Sequence, residues 1–317
     1  MKPFKSIDEQ LNLLKSRGIH IENDDLAKKY LLRNNYYLVV NCYSKFFIDS
    51  NDQYIPGTDF KEIIDTHIFD RELKSILLKY ILEAEKHIKA IISYVFSEAH
   101  QEKYAYLIAT NYNQRDILKI SRIISDFSKT LNKYNKPNDR NSIAHYCTRH
   151  GDVPLWVLSN YLSFGSIVTM YEYMNISEQN RVAKEFSKIL NENLGITTAK
   201  ITNQEFSIIL RNICDVRNIL AHNNKLFEYK CKNNYPFIKE LHQHFNIPSN
   251  VPKQDLYNTI IILYCLLEAN QYAIMHNSIL KRAKQLNRKI HTIDSHKILS
   301  TLGFPQNWVD ITSKLPQ

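Results

Sequence analysis

The chain has 317 residues, with 41 Lys+Arg against 32 Asp+Glu, a formal charge of +9 and 44% hydrophobic residues. That hydrophobic share is enough to bury a core, which excludes a disordered linker or tail. Six Gly and nine Pro over the whole length exclude turn-rich sheets and barrels and leave long helices.

In chain order, residues 6–17 and 24–33 read as two short helices, broken at Arg17-Gly18. The stretch Tyr36-Tyr37-Leu38-Val39-Val40, with Tyr43, Phe46 and Phe47, alternates poorly and fits a strand or a buried helix equally. Core packing is its expected use, base stacking the other. Ser50 to Gly57 is a turn. From Thr66 to Glu98, Phe69, Leu73, Leu77, Ala84, Ile88, Ile92 and Val95 make the apolar stripe of a long helix. On it Glu85, beside Lys86, His87 and Lys89, is placed to position an Arg or His of a neighbouring helix, or is an ordinary surface carboxylate.

A helix over Asp116–Leu131 leads into a polar surface loop, 132–141. Pro154-Leu155-Trp156 opens a further helical region that Gly165 interrupts. Thr202 and Glu205 form a capping box, and Phe206, Ile209, Leu210, Ile213, Val216 and Leu220 carry a helix to about His222, with Asn223-Asn224 as a left-handed end. Asp255–Ile290 reads as one long helix, apolar first and basic second. Its Lys281, Arg282, Lys284, Arg288 and Lys289 would track a nucleic-acid backbone or form a solvated face. Gly303-Phe304-Pro305 and Trp308 mark the tail. The expected fold is all-α.

Five cysteines (Cys42, Cys147, Cys214, Cys231, Cys265) form no CxxC pair, which implies reduced, mostly core thiols in a cytoplasmic protein. No secretory signal is evident, and no apolar run approaches the roughly 20 residues that span a bilayer. His145/His150 and His242/His244 lack further ligands nearby, and there is no P-loop, GxGxxG or HExxH, so neither a metal nor a cofactor is expected.

The sharpest local pattern is Arg217-Asn218-Ile219-Leu220-Ala221-His222. Cleaving RNA without a metal requires one group to deprotonate a 2′-hydroxyl, one to protonate the leaving 5′-oxygen, and a cation on the phosphorane. Histidine does either proton job near neutrality, arginine clamps phosphate, and asparagine orients either. Asn218 and His222 share a helix face, whereas Arg217 and His222 diverge by about 140°. Arg217 must therefore reach round with its long side chain, or the helix must end or bend at His222, which Asn223-Asn224 favours; full acid–base chemistry calls for a second imidazole from a symmetric partner. The same pattern recurs at Arg140-Asn141-Ser142-Ile143-Ala144-His145, after a polar loop, where Asn138 or Asp139 would cap a helix start.

Taken together these residues resemble the Abi-like (AbiD/AbiF) abortive-infection phage-resistance proteins, whose helical core belongs to the HEPN superfamily. Lys2-Pro3-Phe4 with Gln10, Arg17 and Gly18 looks like the family's opening, and Asn35-Tyr36-Tyr37 its "GYY", with Asn35 in place of Gly. Phe69-Asp70-Arg71-Glu72-Leu73 is similar to its "FDRxL", and Glu85 stands at its "IE". Pro154-Leu155-Trp156 with Phe164-Gly165, the Arg217–His222 motif, and Gly303-Phe304-Pro305 with Trp308 follow in order. The resemblance implies a metal-independent endoribonuclease acting as a defence toxin, all-helical and homodimeric, with Arg217, Asn218 and His222 catalytic and Glu85 and Asn223 supporting. It implies an RNA substrate, a small regulatory RNA as a further partner, and no membrane. The alternative is a non-catalytic RNA-binding module regulated by a small structured RNA. Expected segments are 1–60 packed on the core, a HEPN-like domain over 61–275, and a basic helix end and tail over 276–317.

Overall fold

The computed structural model describes residues 4–136, 140–222 and 224–316; Asn138, Asp139 and Asn223 lie outside them. The described chain is all-α, with two isolated bridges, His20–Asp59 and Ile48–Tyr54, in place of any sheet. Its helices are α1 (Ile7–Ser16), α2 (Asp24–Asn34), α3 (Phe60–Ala99), α4 (Ile117–Tyr134), α5 (Ser142–His150), α6 (Leu155–Leu158), α7 (Phe164–Tyr173), α8 (Ile176–Leu194), α9 (Asn203–Ala221), α10 (Lys239–His244), α11 (Leu256–Ile262), α12 (Ala269–Lys289), α13 (His296–Leu299) and α14 (Trp308–Ile311). None of them is long and apolar enough to cross a membrane.

α3 is the axis. Its 40 residues contain no Gly or Pro and run about 60 Å, and α6, α7, α8, α9 and α12 pack along it. It starts earlier than the expected Thr66 because the stripe extends back through buried Phe60 and Ile63 to a capping box, in which Glu62 accepts from the Asp59 amide at 3.2 Å. Glu62 also accepts from the His291 and Thr292 amides at 2.6 and 2.9 Å, tying the segment after α12 to the start of α3.

The aromatic stretch is helical, as a π turn over Tyr37–Asn41 and a 3-10 turn over Ser44–Phe46. Val39, Val40, Tyr43, Phe46 and Phe47 are buried, and Phe227 packs on Tyr43, Phe46 and Phe69. Asn35, where the resemblance expects Gly, ends α2 with φ 61, and its Oδ1 accepts from the Tyr37 amide at 2.9 Å. Asparagine is among the few side chains that tolerate positive φ.

Two expectations need correction. The single helix over Asp255–Ile290 is α11, a 3-10 turn over Leu263–Cys265, and α12, divided by a capping box at Glu268 with Gln271. The carbonyls freed at that break, those of Tyr264 and Leu267, are taken by the Asn193 amide at 2.7 and 2.8 Å. The expected segment boundary at 275/276 thus falls inside α12. Gly165 does not interrupt a helix either. It sits in the first turn of α7, whose cap is Ser163, and the break precedes it. Gly303, by contrast, is obligatory: at φ 87 a Cβ would stand 2.1 Å from Cγ of Asp255, the cap of α11.

The cysteines are all free; Cys231 and Cys265 are buried, while Cys42, Cys147 and Cys214 are only half-buried.

Candidate active site at the end of α9

The capping box at Thr202 and Glu205 forms as expected: the Glu205 carboxylate accepts from the Thr202 amide at 2.8 Å, and the Thr202 hydroxyl from the Glu205 amide at 3.2 Å. Phe206, Ile209, Leu210, Ile213, Val216 and Leu220 are buried, which holds α9 against α3, α7 and α8. His222 is the C-terminal cap, and the Asn224 amide donates to the Ile219 carbonyl at 3.2 Å, the six-to-one bond of a Schellman ending. The helix therefore stops at His222. Asn223, a candidate supporting residue, lies outside the described residues.

Docking α9 on α3 brings Arg217 to Glu85, the partnership anticipated for that carboxylate. Arg217 Nε faces Glu85 Oε2 at 3.4 Å, and neither atom has a hydrogen bond among the described residues. Charge holds this contact. The other oxygen, Oε1, pairs with Lys89 Nζ at 2.8 Å, and Lys89 also donates to the Leu162 carbonyl at 2.9 Å. Glu85 is thus a buried anion between two cations, one of them tied to the exit of α6. The Arg217 side chain keeps 32% of its surface in solvent, and its Nη1 donates to Asn218 Oδ1 at 3.3 Å. The ring of His222 is exposed and makes no hydrogen bond among the described residues. Burial, with Asp215 and Glu85 adding, pushes the Cys214 thiol up, which keeps it protonated and unsuited as a nucleophile.

Beside this carboxylate, Leu82, Glu85, Lys86, Lys89, Tyr94, Trp156 and Asn160 line a groove of ≈ 520 Å³. Tyr94 and Trp156 are 64% and 54% exposed, large apolar surfaces next to a charged centre. Lys89, four residues after Glu85, was not singled out as a site residue; that spacing was the available signal. The segment after the motif is fixed through Asp70, fully buried, which accepts from the Tyr43 hydroxyl at 2.9 Å and the Leu226 amide at 3.2 Å and pairs with Lys74 at 2.6 Å.

The basic cluster is elsewhere. Arg282 pairs with Glu72 at 3.1 Å and Lys289 with Asp65 at 2.5 Å. Glu72 and Asp65 lie about 20 and 30 Å down the α3 axis from Glu85. Lys281, Lys284 and Arg288 instead line, with Lys314, a separate groove of ≈ 670 Å³. The Arg140 pattern is also distinct. Asn141, not Asn138 or Asp139, caps α5: its Oδ1 accepts from the Ala144 amide at 3.0 Å and its Nδ2 donates to the Tyr134 carbonyl at 2.8 Å.

A family model described as Abi-like protein matches residues 29–228, well over half of the chain, from α2 to just beyond the end of α9. The opening and closing signatures lie outside that span. No curated protein and no solved structure matches.

Proposed function

The chain belongs to the Abi-like family, and on that premise we propose that it is the effector of an abortive-infection phage-resistance system, a metal-independent endoribonuclease of HEPN type working from the end of α9. The observation that carries this reading is the constellation itself: an arginine held by a buried carboxylate and an exposed imidazole closing the same helix.

In this mechanism His222 takes the proton of a ribose 2′-hydroxyl, and the 2′-oxygen attacks the adjacent phosphorus. The 5′-oxygen of the next nucleotide leaves with a proton from the His222 of a second copy, because one α9 supplies only one imidazole. Arg217 stabilises the charge of the phosphorane, and Asn218, bonded to Arg217, orients it. Glu85 and Lys89 keep the guanidinium in place. The products are a 2′,3′-cyclic phosphate and a free 5′-hydroxyl, with no water consumed.

Incubating RNA with the protein in EDTA tests this. Wild type cleaves and leaves cyclic-phosphate ends, and His222→Ala and Arg217→Ala lose about 10²- to 10⁴-fold in rate. Equal cleavage by all three sinks the assignment.

The alternative, a non-catalytic RNA-binding module governed by a small structured RNA, draws on the groove of Lys281, Lys284 and Arg288. It predicts RNA binding that is lost on neutralising those three and is indifferent to His222→Ala.

A further inference from the structure

A groove larger than the one at Glu85 lies along α5. It measures ≈ 930 Å³, and Arg140, Asn141, His145, Tyr146, Arg149 and Tyr161 are among the residues that line it. No carboxylate is among its described lining residues. Six arginines pair with an acid, while Arg140 and Arg149, like Arg33, Arg115, Arg122 and Arg288, have no acidic partner among the described residues; Arg140 and Arg149 are the two that share this groove. Two guanidinium groups without an acidic partner among the described residues, in one concave surface, give it a positive potential that favours an anion. Rings accompany them: Tyr146 and His150 lie 5.0 Å apart, His145 and His150 5.8 Å, and Tyr161 stands 4.8 Å from Tyr134. Alternating cations and partly exposed rings in an open trough suit a strand whose phosphates are tracked and whose bases stack.

The groove also has an address. Trp156, Ser159 and Asn160 line the groove that holds Glu85, and the next residue, Tyr161, lines this one. Leu162 then gives its carbonyl to Lys89, the lysine that holds Glu85. The two grooves therefore border the same exit of α6, one through Asn160 and the other through Tyr161.

From this juxtaposition we propose that the groove of Arg140, Arg149, Tyr146 and Tyr161 is a binding subsite for single-stranded RNA, delivering the strand to the end of α9. The inference rests on the nuclease reading for its purpose, but binding is measured without cleavage.

The experiment uses full-length His222→Ala protein and a fluorescently labelled 12-nucleotide single-stranded RNA, with anisotropy read at several salt concentrations. Arg140→Gln with Arg149→Gln weakens binding at least 10-fold and makes the log–log salt slope shallower by about 1.4, the value for two lost phosphate contacts on a single strand. Tyr146→Leu weakens binding at least 5-fold at unchanged salt slope. Lys29→Gln with Lys61→Gln, exposed lysines on α2 and α3 with the same loss of charge, changes it less than 2-fold. Equal weakening by both pairs, an unchanged affinity in the arginine pair, or duplex RNA bound as tightly as the single strand overturns the proposal. Thermal melts within 2 °C of the parent show that the exposed substitutions left the fold intact. If the groove fails this test while EDTA-resistant cleavage persists, the nuclease reading stands alone. If the groove binds and no cleavage is found, only the subsite stands.

Discussion

The six-residue pattern Arg-Asn-x-x-x-His occurs twice, and the two copies sit at opposite ends of their helices. At 217–222 it closes α9: the arginine is tethered to buried Glu85, the asparagine bonds to the arginine, and the histidine is the cap. At 140–145 it opens α5: the asparagine is consumed as the helix cap, and the arginine before it reaches no acid among the described residues. Identical letters thus acquire different chemistry from the helix end they occupy. The α9 copy has the apolar face, the carboxylate and the exposed imidazole that the proposed cleavage uses. The α5 copy offers a charge without an acidic partner among the described residues at the N-terminal end of a helix, where the dipole favours anions, so it suits holding phosphate rather than transforming it.

The strongest way to break this contrast is to remove the group that only one copy has. Glu85→Ala leaves Lys89, half-buried and bonded to the Leu162 carbonyl, and Arg217 without their anion. Stripping one partner from a buried pair costs about 3 kcal/mol, and the released Arg217 drops cleavage at least 10-fold. Glu85→Gln, which still offers an oxygen to Lys89, recovers most of the stability but less of the activity. Denaturant melts and single-turnover cleavage on the same samples read both. Unchanged cleavage in Glu85→Ala would show that the tether does no work for Arg217.

The two asparagines give a smaller and reciprocal pair. Asn141→Ala removes a helix cap, which costs about 1 kcal/mol of stability. Asn218→Ala touches an exposed side chain whose contacts are Arg217 and the Cys214 sulfur at 3.9 Å, so stability changes by less than about 0.5 kcal/mol while single-turnover cleavage falls. Melting curves and rates that reverse this pattern would make the two copies equivalent after all.

Much of this arrangement was legible in the residues. The stripe of α3, the capping box of α9 and the stop at His222 follow from periodicity and cap chemistry, and Glu85 was identified as a possible anchor from its place on α3. What escaped were features set by partners distant in sequence. The break at Glu268 follows a run, Ile260 to Leu267, that is apolar all round, so no periodicity marks where α11 ends; the Asn193 amide that satisfies the break comes from another helix. α8 was missed although Val182, Phe186 and Leu190 are spaced for it. The basic run 281–289 read as one patch because sequence does not show that Glu72 and Asp65 neutralise two of its members. Equally, no local signal says that Arg140 and Arg149 share a groove with Tyr161.

The smallest effect expected is the one that keeps chemistry separate from folding. His67, His242 and His276 are half-buried or buried, and in each burial holds the imidazole below its ordinary value of 6.5. The unfolded chain therefore binds protons first as pH falls, so stability is fully present above about 6.5 and declines below it. Burial pushes Glu62 up, but the Thr292 hydroxyl and the Thr292 and His291 amides outweigh it and hold the carboxyl below 4.5. Its contribution is present above 4.5 and is lost as pH drops further. His222 and His145 are exposed, so His222→Ala and His145→Ala melt within about 0.5 kcal/mol of wild type at each pH from 7 to 4. Denaturant midpoints across that range measure it. A larger loss of stability in His222→Ala would place that imidazole inside the packed structure instead of at an open helix end, and the loss of cleavage could then no longer be assigned to proton transfer.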